Sequence, residues 1–221
     1  MIPMPTDKPG DIDFIIANTR LLSPPHVPEI RLYLAEESLP IWQKTEDQLG
    51  EMSVPPPFWA FAWAGGQALA RYMLDNRHEV ADRNVLDLGT GSGLTAIAAM
   101  QAGARSVLAA DVDPLAIVAA KLNASANGVR IATTSDDLLD QPIAGHDAVL
   151  VGDLFYERRL ADRVLAYLTK AQAAGGHILV GDPQRSYFPA DRFVCLAEYE
   201  VQVTRELEDS LVKRTAVWAL R

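Results

Sequence analysis

Between a short apolar run and an alanine-rich stretch lies Asp87-Leu88-Gly89-Thr90-Gly91-Ser92-Gly93. Glycines where a strand turns into a helix let the backbone pass close to a bound molecule, and the first helical amides favour a negative group. The spacing is G-x-G-x-G, whereas the nicotinamide fingerprint G-x-G-x-x-G would need glycine at position 94, where Leu94 stands. A nicotinamide-dependent oxidoreductase is therefore the disfavoured reading from another class. The next apolar run ends in Asp111-Val112-Asp113-Pro114. A carboxylate at the tip of a second strand accepts both ribose hydroxyls of an adenosine-containing ligand. Asp111 is the candidate, because Asp113 is placed to cap the helix that Pro114 opens.

The loop's spacing resembles motif I of the class I S-adenosylmethionine methyltransferases. That resemblance implies cofactor contacts from Asp87, Gly89, Thr90, Gly91 and Gly93, with Asp111 on the ribose. After a third strand these enzymes place an acidic or polar residue against the adenine amino group, and Asp136 or Asp137 stands at that place. Gly152-Asp153-Leu154-Phe155-Tyr156 then carries an Asp-x-x-Tyr signature, similar to that of the seven-β-strand lysine methyltransferases of non-histone proteins. Neither the Asn-Pro-Pro-Tyr of adenine- and glutamine-modifying enzymes nor the metal-binding acidic pair of catechol-type enzymes is present, so no metal is expected.

The likeness extends from about Pro28 to Trp218. Pro57-Phe58-Trp59-Ala60-Phe61-Ala62-Trp63, the following Gly65-Gly66-Gln67-Ala68-Leu69-Ala70-Arg71-Tyr72, and Gly181-Asp182-Pro183-x-Arg185 resemble the electron transfer flavoprotein β-subunit lysine methyltransferases. The animal forms carry a transit peptide that this N-terminus does not match, which points to a bacterial, cytoplasmic version. The core is more distantly similar to ribosomal protein L11 methyltransferase, whose extra substrate domain has no room here.

What the resemblance implies is methyl transfer from S-adenosylmethionine, leaving S-adenosylhomocysteine, to lysines of the flavoprotein β-subunit. The alternatives are lysines of a ribosomal protein (L11 or L7/L12 type) or a small-molecule amine. The reaction needs a neutral amine, and free lysine with a pKa of about 10.4 is almost wholly protonated at neutral pH. Asp153 is expected to receive and orient the ammonium, and Tyr156 to hydrogen-bond the amine or line its channel. Trp59, Phe61 and Trp63 are expected to enclose the lysine stem and the sulfonium, Trp63 with the strongest claim to cofactor contact. Gly152 is assigned to the cofactor, and Asp182 and Arg185 to substrate contact or a local loop-ordering pair.

These residues need a scaffold, and the patterning supplies one. From Arg83 onward apolar strands alternate with helices, predicting strands over 85–88, 106–110, 129–133, 148–152 and 177–180, and helices over 94–102, 114–127 and 157–173. Such alternation predicts a doubly wound, mostly parallel seven-stranded α/β sheet, closed by an antiparallel C-terminal hairpin of strands over 199–204 and 211–218. A helix is expected over 67–76 and a short one over 41–49. Ile30, Leu32 and Leu34 share one face of an edge strand, in an N-terminal appendage of residues 1–54 preceding a catalytic domain of residues 55–221.

Composition bounds the partners. With 221 residues, 49% hydrophobic and 22% charged, the chain has the makings of one globular domain. Lys and Arg number 20 against 29 Asp and Glu, a net charge of −9, which disfavours nucleic acid and anionic membranes and suits an electropositive protein partner. One cysteine and four scattered histidines offer neither a disulfide nor a metal cluster, and a monomer is expected.

Overall fold

The computed structural model describes residues 9–35, 57–143, 145–203 and 212–221. The helix expected over 41–49, the turn between the expected hairpin strands 199–204 and 211–218, and the boundary at 54/55 lie outside the described residues.

Seven strands form one sheet: β3 (Asn84–Leu88), β4 (Ser106–Ala110), β5 (Ala132–Thr134), β6 (Ala148–Gly152), β7 (His177–Asp182), β8 (Phe193–Gln202) and β9 (Val212–Leu220), ordered β5-β4-β3-β6-β7-β9-β8. The first five pair in parallel, while β9 runs antiparallel to both β7 and β8. The expected α/β sheet with an added antiparallel hairpin is thus the observed one. Strand order reverses between β3 and β6, which opens a crevice at the carboxyl ends of these strands.

Helices cover both faces because the parallel strands are apolar on both sides. On one face α2 (Ala64–Asp75), α3 (Leu94–Gln101) and the inner residues of α4 (Pro114–Ala126) bury Leu69, Met73, Ile97 and Ala124 against Val85, Leu150, Leu179 and Val217. On the other, α5 (Arg158–Ala173) lays Ala161, Val164, Leu168 and Ala171, at three- and four-residue spacing, over Leu86, Val149 and Ile178. No helix among the described residues is long and apolar enough to cross a membrane.

Several boundaries differ from expectation for local reasons. The third strand starts at Ala132 rather than Val129, because the Val129 and Gly128 amides donate to the Ala124 and Ser125 carbonyls and so finish α4 as a Schellman turn. Strand β8 begins six residues early, at Phe193, on an outer edge whose exposed Val194 and Leu196 show no clean alternation.

The N-terminal segment packs closely against the core. Helix α1 (Pro9–Asn18), absent from the sequence expectation, buries Ile15 with Trp59 against α4. A two-stranded ribbon joins β1 (Arg20–Leu22) to β2 (Leu32–Leu34), and Ile30, Leu32 and Leu34 face inward as the alternation predicts. The free edge of β2 is satisfied by α4: Asn127 Oδ1 accepts from the Arg31 amide at 2.9 Å and Asn123 Oδ1 from the Tyr33 amide at 2.7 Å. Asn123 also donates to the Ser92 carbonyl at 2.8 Å, so the same side chain ties the N-terminal ribbon to the glycine loop.

Candidate functional site

A cleft of about 490 Å3 opens at the carboxyl ends of β3, β4 and β6. Eleven of the residues singled out from sequence line it: Trp59, Trp63, Gly89, Gly91, Asp111, Asp136, Asp137, Gly152, Asp153, Tyr156 and Arg185. A volume of this order matches sites for small molecules of nucleoside size.

The glycine loop divides into a ligand side and a structural side. Gly89 and Gly91 face the cleft. Asp87 is buried and turns inward, accepting the Thr90 hydroxyl at 2.5 Å and the Thr95 hydroxyl at 2.6 Å. Burial pushes its carboxyl up to about 6. Gly93 begins α3 at φ +81°, and an added Cβ would lie 3.0 Å from Ala120 Cα. Asp87, Thr90 and Gly93 therefore shape the loop from behind instead of lining the cleft.

Asp111 is the hinge between loop and cleft. Its Oδ2 accepts from the Gly91 amide at 2.9 Å and its Oδ1 from the Asp113 amide at 3.0 Å, leaving the second lone pair of each oxygen for hydroxyl donors. Burial raises its pKa. Asp113 caps α4 through the Leu115 amide at 2.8 Å, as its position before Pro114 predicts. Asp136 accepts from the Thr134 hydroxyl at 2.9 Å, while Asp137 is drawn into an ion pair with Arg163 at 2.8 Å.

Asp153 directly follows β6 at φ +57°, a left-handed conformation costing an aspartate roughly 1 kcal/mol. Its side chain is buried, and each oxygen is engaged. Oδ1 accepts Arg185 Nε at 2.9 Å and Nη2 at 2.7 Å, while Oδ2 accepts the Gly66 amide at 3.1 Å. The helix starting at Arg158 is capped by Glu157 instead, so Asp153 caps α2 from across the sheet. The close fit there depends on two glycines: a Cβ on Gly65 would overlap the Gly181 carbonyl oxygen. Burial raises the Asp153 pKa, and the Arg185 guanidinium pulls against that rise.

Asp182, expected at the substrate, does not line the cleft; it is fully buried at the end of β7. Its Oδ1 accepts the Arg185 amide at 2.7 Å, so the expected local pair exists through the backbone, while the Arg185 guanidinium crosses to Asp153. Phe61 likewise packs into the core beside α1 and α4, away from the cleft.

The aromatic segment supplies both floor and rim. Trp59 is 1% exposed and forms floor, whereas Phe58 and Tyr156 are 50% and 49% exposed. Phe58 lies 6.0 Å from both Tyr156 and Trp63, and the Arg185 guanidinium sits 5.7 Å from the Trp63 ring. Burial, with the charges of Asp111 and Glu157, raises the Tyr156 pKa, so its hydroxyl stays protonated. Sequence reading missed Phe58, Val112, Leu138, Leu139, Leu154 and Leu160 in the lining. Val112, between two aspartates and 66% exposed, was the one whose placement at a strand tip was a usable signal.

Comparison with known proteins places this geometry. The family model described as ribosomal protein L11 methyltransferase (PrmA) matches residues 67–170. The electron transfer flavoprotein beta subunit lysine methyltransferase of Danio rerio is 40% identical over 187 residues, covering 83% of this chain and 71% of the relative. The protein of the same name from Xenopus laevis is 34% identical over 223 residues, covering 98% and 89%. Among solved structures, the N-methyltransferase NodS of Bradyrhizobium japonicum in complex with S-adenosyl-L-homocysteine superposes with a TM-score of 0.54 at 15% identity, covering 84% of this chain and 93% of that one. That last likeness is one of fold.

Proposed function

The chain belongs to the electron transfer flavoprotein β-subunit lysine methyltransferase family, and from that premise we propose that it transfers methyl groups from S-adenosylmethionine to lysine side chains of the flavoprotein β-subunit. The observation that carries the reading is the joint presence, in one cleft, of the glycine loop, the Asp111 carboxylate and the Asp153–Arg185 pair. The lining fits the cofactor: a carboxylate with spare lone pairs suits ribose hydroxyls, and Val112, Leu138 and Leu139 offer apolar surface beside Asp136 for a base. When bound, S-adenosylmethionine supplies an electrophilic methyl on a sulfonium.

The chain's own residues then have three tasks. Gly89, Gly91 and Gly152 let the backbone approach the ligand, with Asp111 on the ribose and Asp136 near the adenine. Phe58, Trp63 and Tyr156 present ring faces at the rim, which hold an alkyl stem and attract its ammonium through cation–π contact. Asp153 holds Arg185 and the first turn of α2 in register, so that an amine entering past the rim meets a fixed polar wall. Catalysis rests on this positioning and on desolvation of the amine, which favours its neutral form. Asp87, Thr90 and Gly93 act by shaping the loop.

A second reading, methylation of a ribosomal-protein lysine, is favoured by the family-model match over 67–170. Tritiated S-adenosylmethionine added to the protein in an extract of cells lacking it separates the two. Label on the flavoprotein β-subunit supports the proposal, and label confined to ribosomal protein transfers the assignment.

A further inference from the structure

Beside the cleft two carboxyls engage one arginine, Asp153 through its guanidinium and Asp182 through its backbone amide. Arg185 places Nε and Nη2 on Asp153 Oδ1, and its own amide on Asp182 Oδ1. Asp182 is 0% exposed, and its Oδ2 has no hydrogen-bond partner. Among the described residues, the elements packed around it bring no further charge. Strand β9 offers Ala216 opposite in register and Trp218, whose indole donates to the Asp182 carbonyl at 3.2 Å, and α2 offers the Gly65 and Gly66 backbone. Among the described residues, the charged groups facing Asp182 are therefore Asp153 and Arg185.

An ionised carboxylate with a bare buried oxygen is far costlier than a neutral acid in the same place. Burial, and then repulsion from Asp153, push the Asp182 carboxyl up to about 7. The guanidinium places two nitrogens on Asp153, so with Asp182 protonated these three groups carry one cation, one anion and one neutral acid.

This arrangement bears on how a lysine is received. Asp153 and Arg185 both line the cleft, yet Asp153 is already neutralised. We propose that the Asp153–Arg185–Asp182 cluster is built one cation short, that the ammonium of the incoming side chain supplies it, and that Asp182 gives up its proton to solvent as that cation arrives. The exchange conserves charge: one positive group enters and one proton leaves, with no covalent bond to carbon altered. Asp182 thus acts as a positioning residue holding a negative charge in reserve, present when the substrate is bound and masked when it is not. The inference rests on the methyltransferase reading of the cleft.

The test is calorimetric. The full chain, saturated with S-adenosylhomocysteine, is titrated at pH 7 with a short peptide whose only cationic side chain is trimethyl-lysine, in two buffers of different ionisation enthalpy. A permanently charged side chain has no proton to lose, so any proton released comes from the protein. The expected result is release of up to about half a proton per peptide bound, since a group with a pKa near 7 is about half protonated at that pH. Asp182→Asn is expected to release none, and a norleucine peptide none in either protein. Failure of the trimethyl-lysine peptide to bind, binding without proton release, or equal release from Asp182→Asn overturns the proposal. Should Asp182→Asn fail to fold, loss of a protonated-carboxyl stretch on peptide binding, read by infrared difference spectroscopy in the unaltered protein, decides in its place, and an unchanged stretch overturns it. The S-adenosylhomocysteine isotherm and methyl transfer to the flavoprotein are measured separately, so failure of the parent reading is told apart from failure of this one.

Discussion

At the amino-terminal edge of the sheet Glu79 sits in a closed network. The Tyr72 hydroxyl donates to Oε1 at 2.7 Å, and His177 Nε2 lies 2.7 Å from Oε2. Burial works to raise the Glu79 pKa, but those hydrogen bonds bring it below the ordinary carboxylate value. At the carboxyl edge Asp87, Asp153 and Asp182 are buried and Asp111 and Asp113 half-buried, and desolvation wins at every one of them, with pKa values raised. A fold optimised for stability alone would have closed both ends alike. The carboxyls whose pKa burial raises gather at the end of the sheet that bears the cleft.

The contrast yields predictions that differ in size. Asp153→Asn keeps an acceptor for the Gly66 amide but weakens the hold on Arg185, and methyl transfer is expected to fall on the order of 100-fold or more while S-adenosylhomocysteine still binds. Retained turnover would reduce Asp153 to a helix cap. Asp111→Ala is expected to weaken S-adenosylhomocysteine binding about 10- to 100-fold by calorimetry, the scale of lost hydrogen bonds to a charged group. At the other edge, Glu79→Gln is expected to cost about 1–3 kcal/mol in denaturant unfolding and leave turnover within about 2-fold. A loss of turnover there would break the division between the two ends.

The smallest effect is the pH dependence of stability. Asp87 and Asp182 have folded values of about 6 and about 7 against an ordinary 3.8, so the folded state holds more protons than the unfolded one between them. Their contribution to stability is full below about pH 4 and is lost as pH rises through 6 and 7. Asp182→Asn is therefore expected to narrow the fall in Tm between pH 5 and 8 by about a few degrees. An unchanged slope would mean that Asp182 is ionised throughout that range.

Much of this was legible in the residues themselves. Ser106–Ala110 and Ala148–Gly152 match expectation at both ends because each is a continuous apolar run bounded by polar or turn residues. The glycine loop and Asp111 were visible as a motif in the right order along the chain. What a motif does not carry is the side each residue faces: Asp87 and Thr90 bond to one another inward, a fact of three-dimensional closure. Arg185 could be tied to Asp182 by proximity in sequence, but its guanidinium pairs with a residue 32 positions away. Helix α1 went unread because its apolar residues do not form a strong stripe, and its stability comes from Trp59 and α4. Phe58 was hidden beside three neighbouring aromatics, Trp59, Phe61 and Trp63, whose burial only the fold assigns.

The central claim is lysine methylation at the carboxyl edge of the sheet. Its most direct test incubates the purified protein with S-adenosylmethionine and the electron transfer flavoprotein, followed by mass spectrometry of β-subunit peptides. The account predicts methylated lysines on the β-subunit with the unaltered chain and, at matched time and concentration, on the order of 100-fold less with Asp153→Asn. An unmodified β-subunit, in a reaction where the same protein methylates ribosomal protein L11, would contradict it.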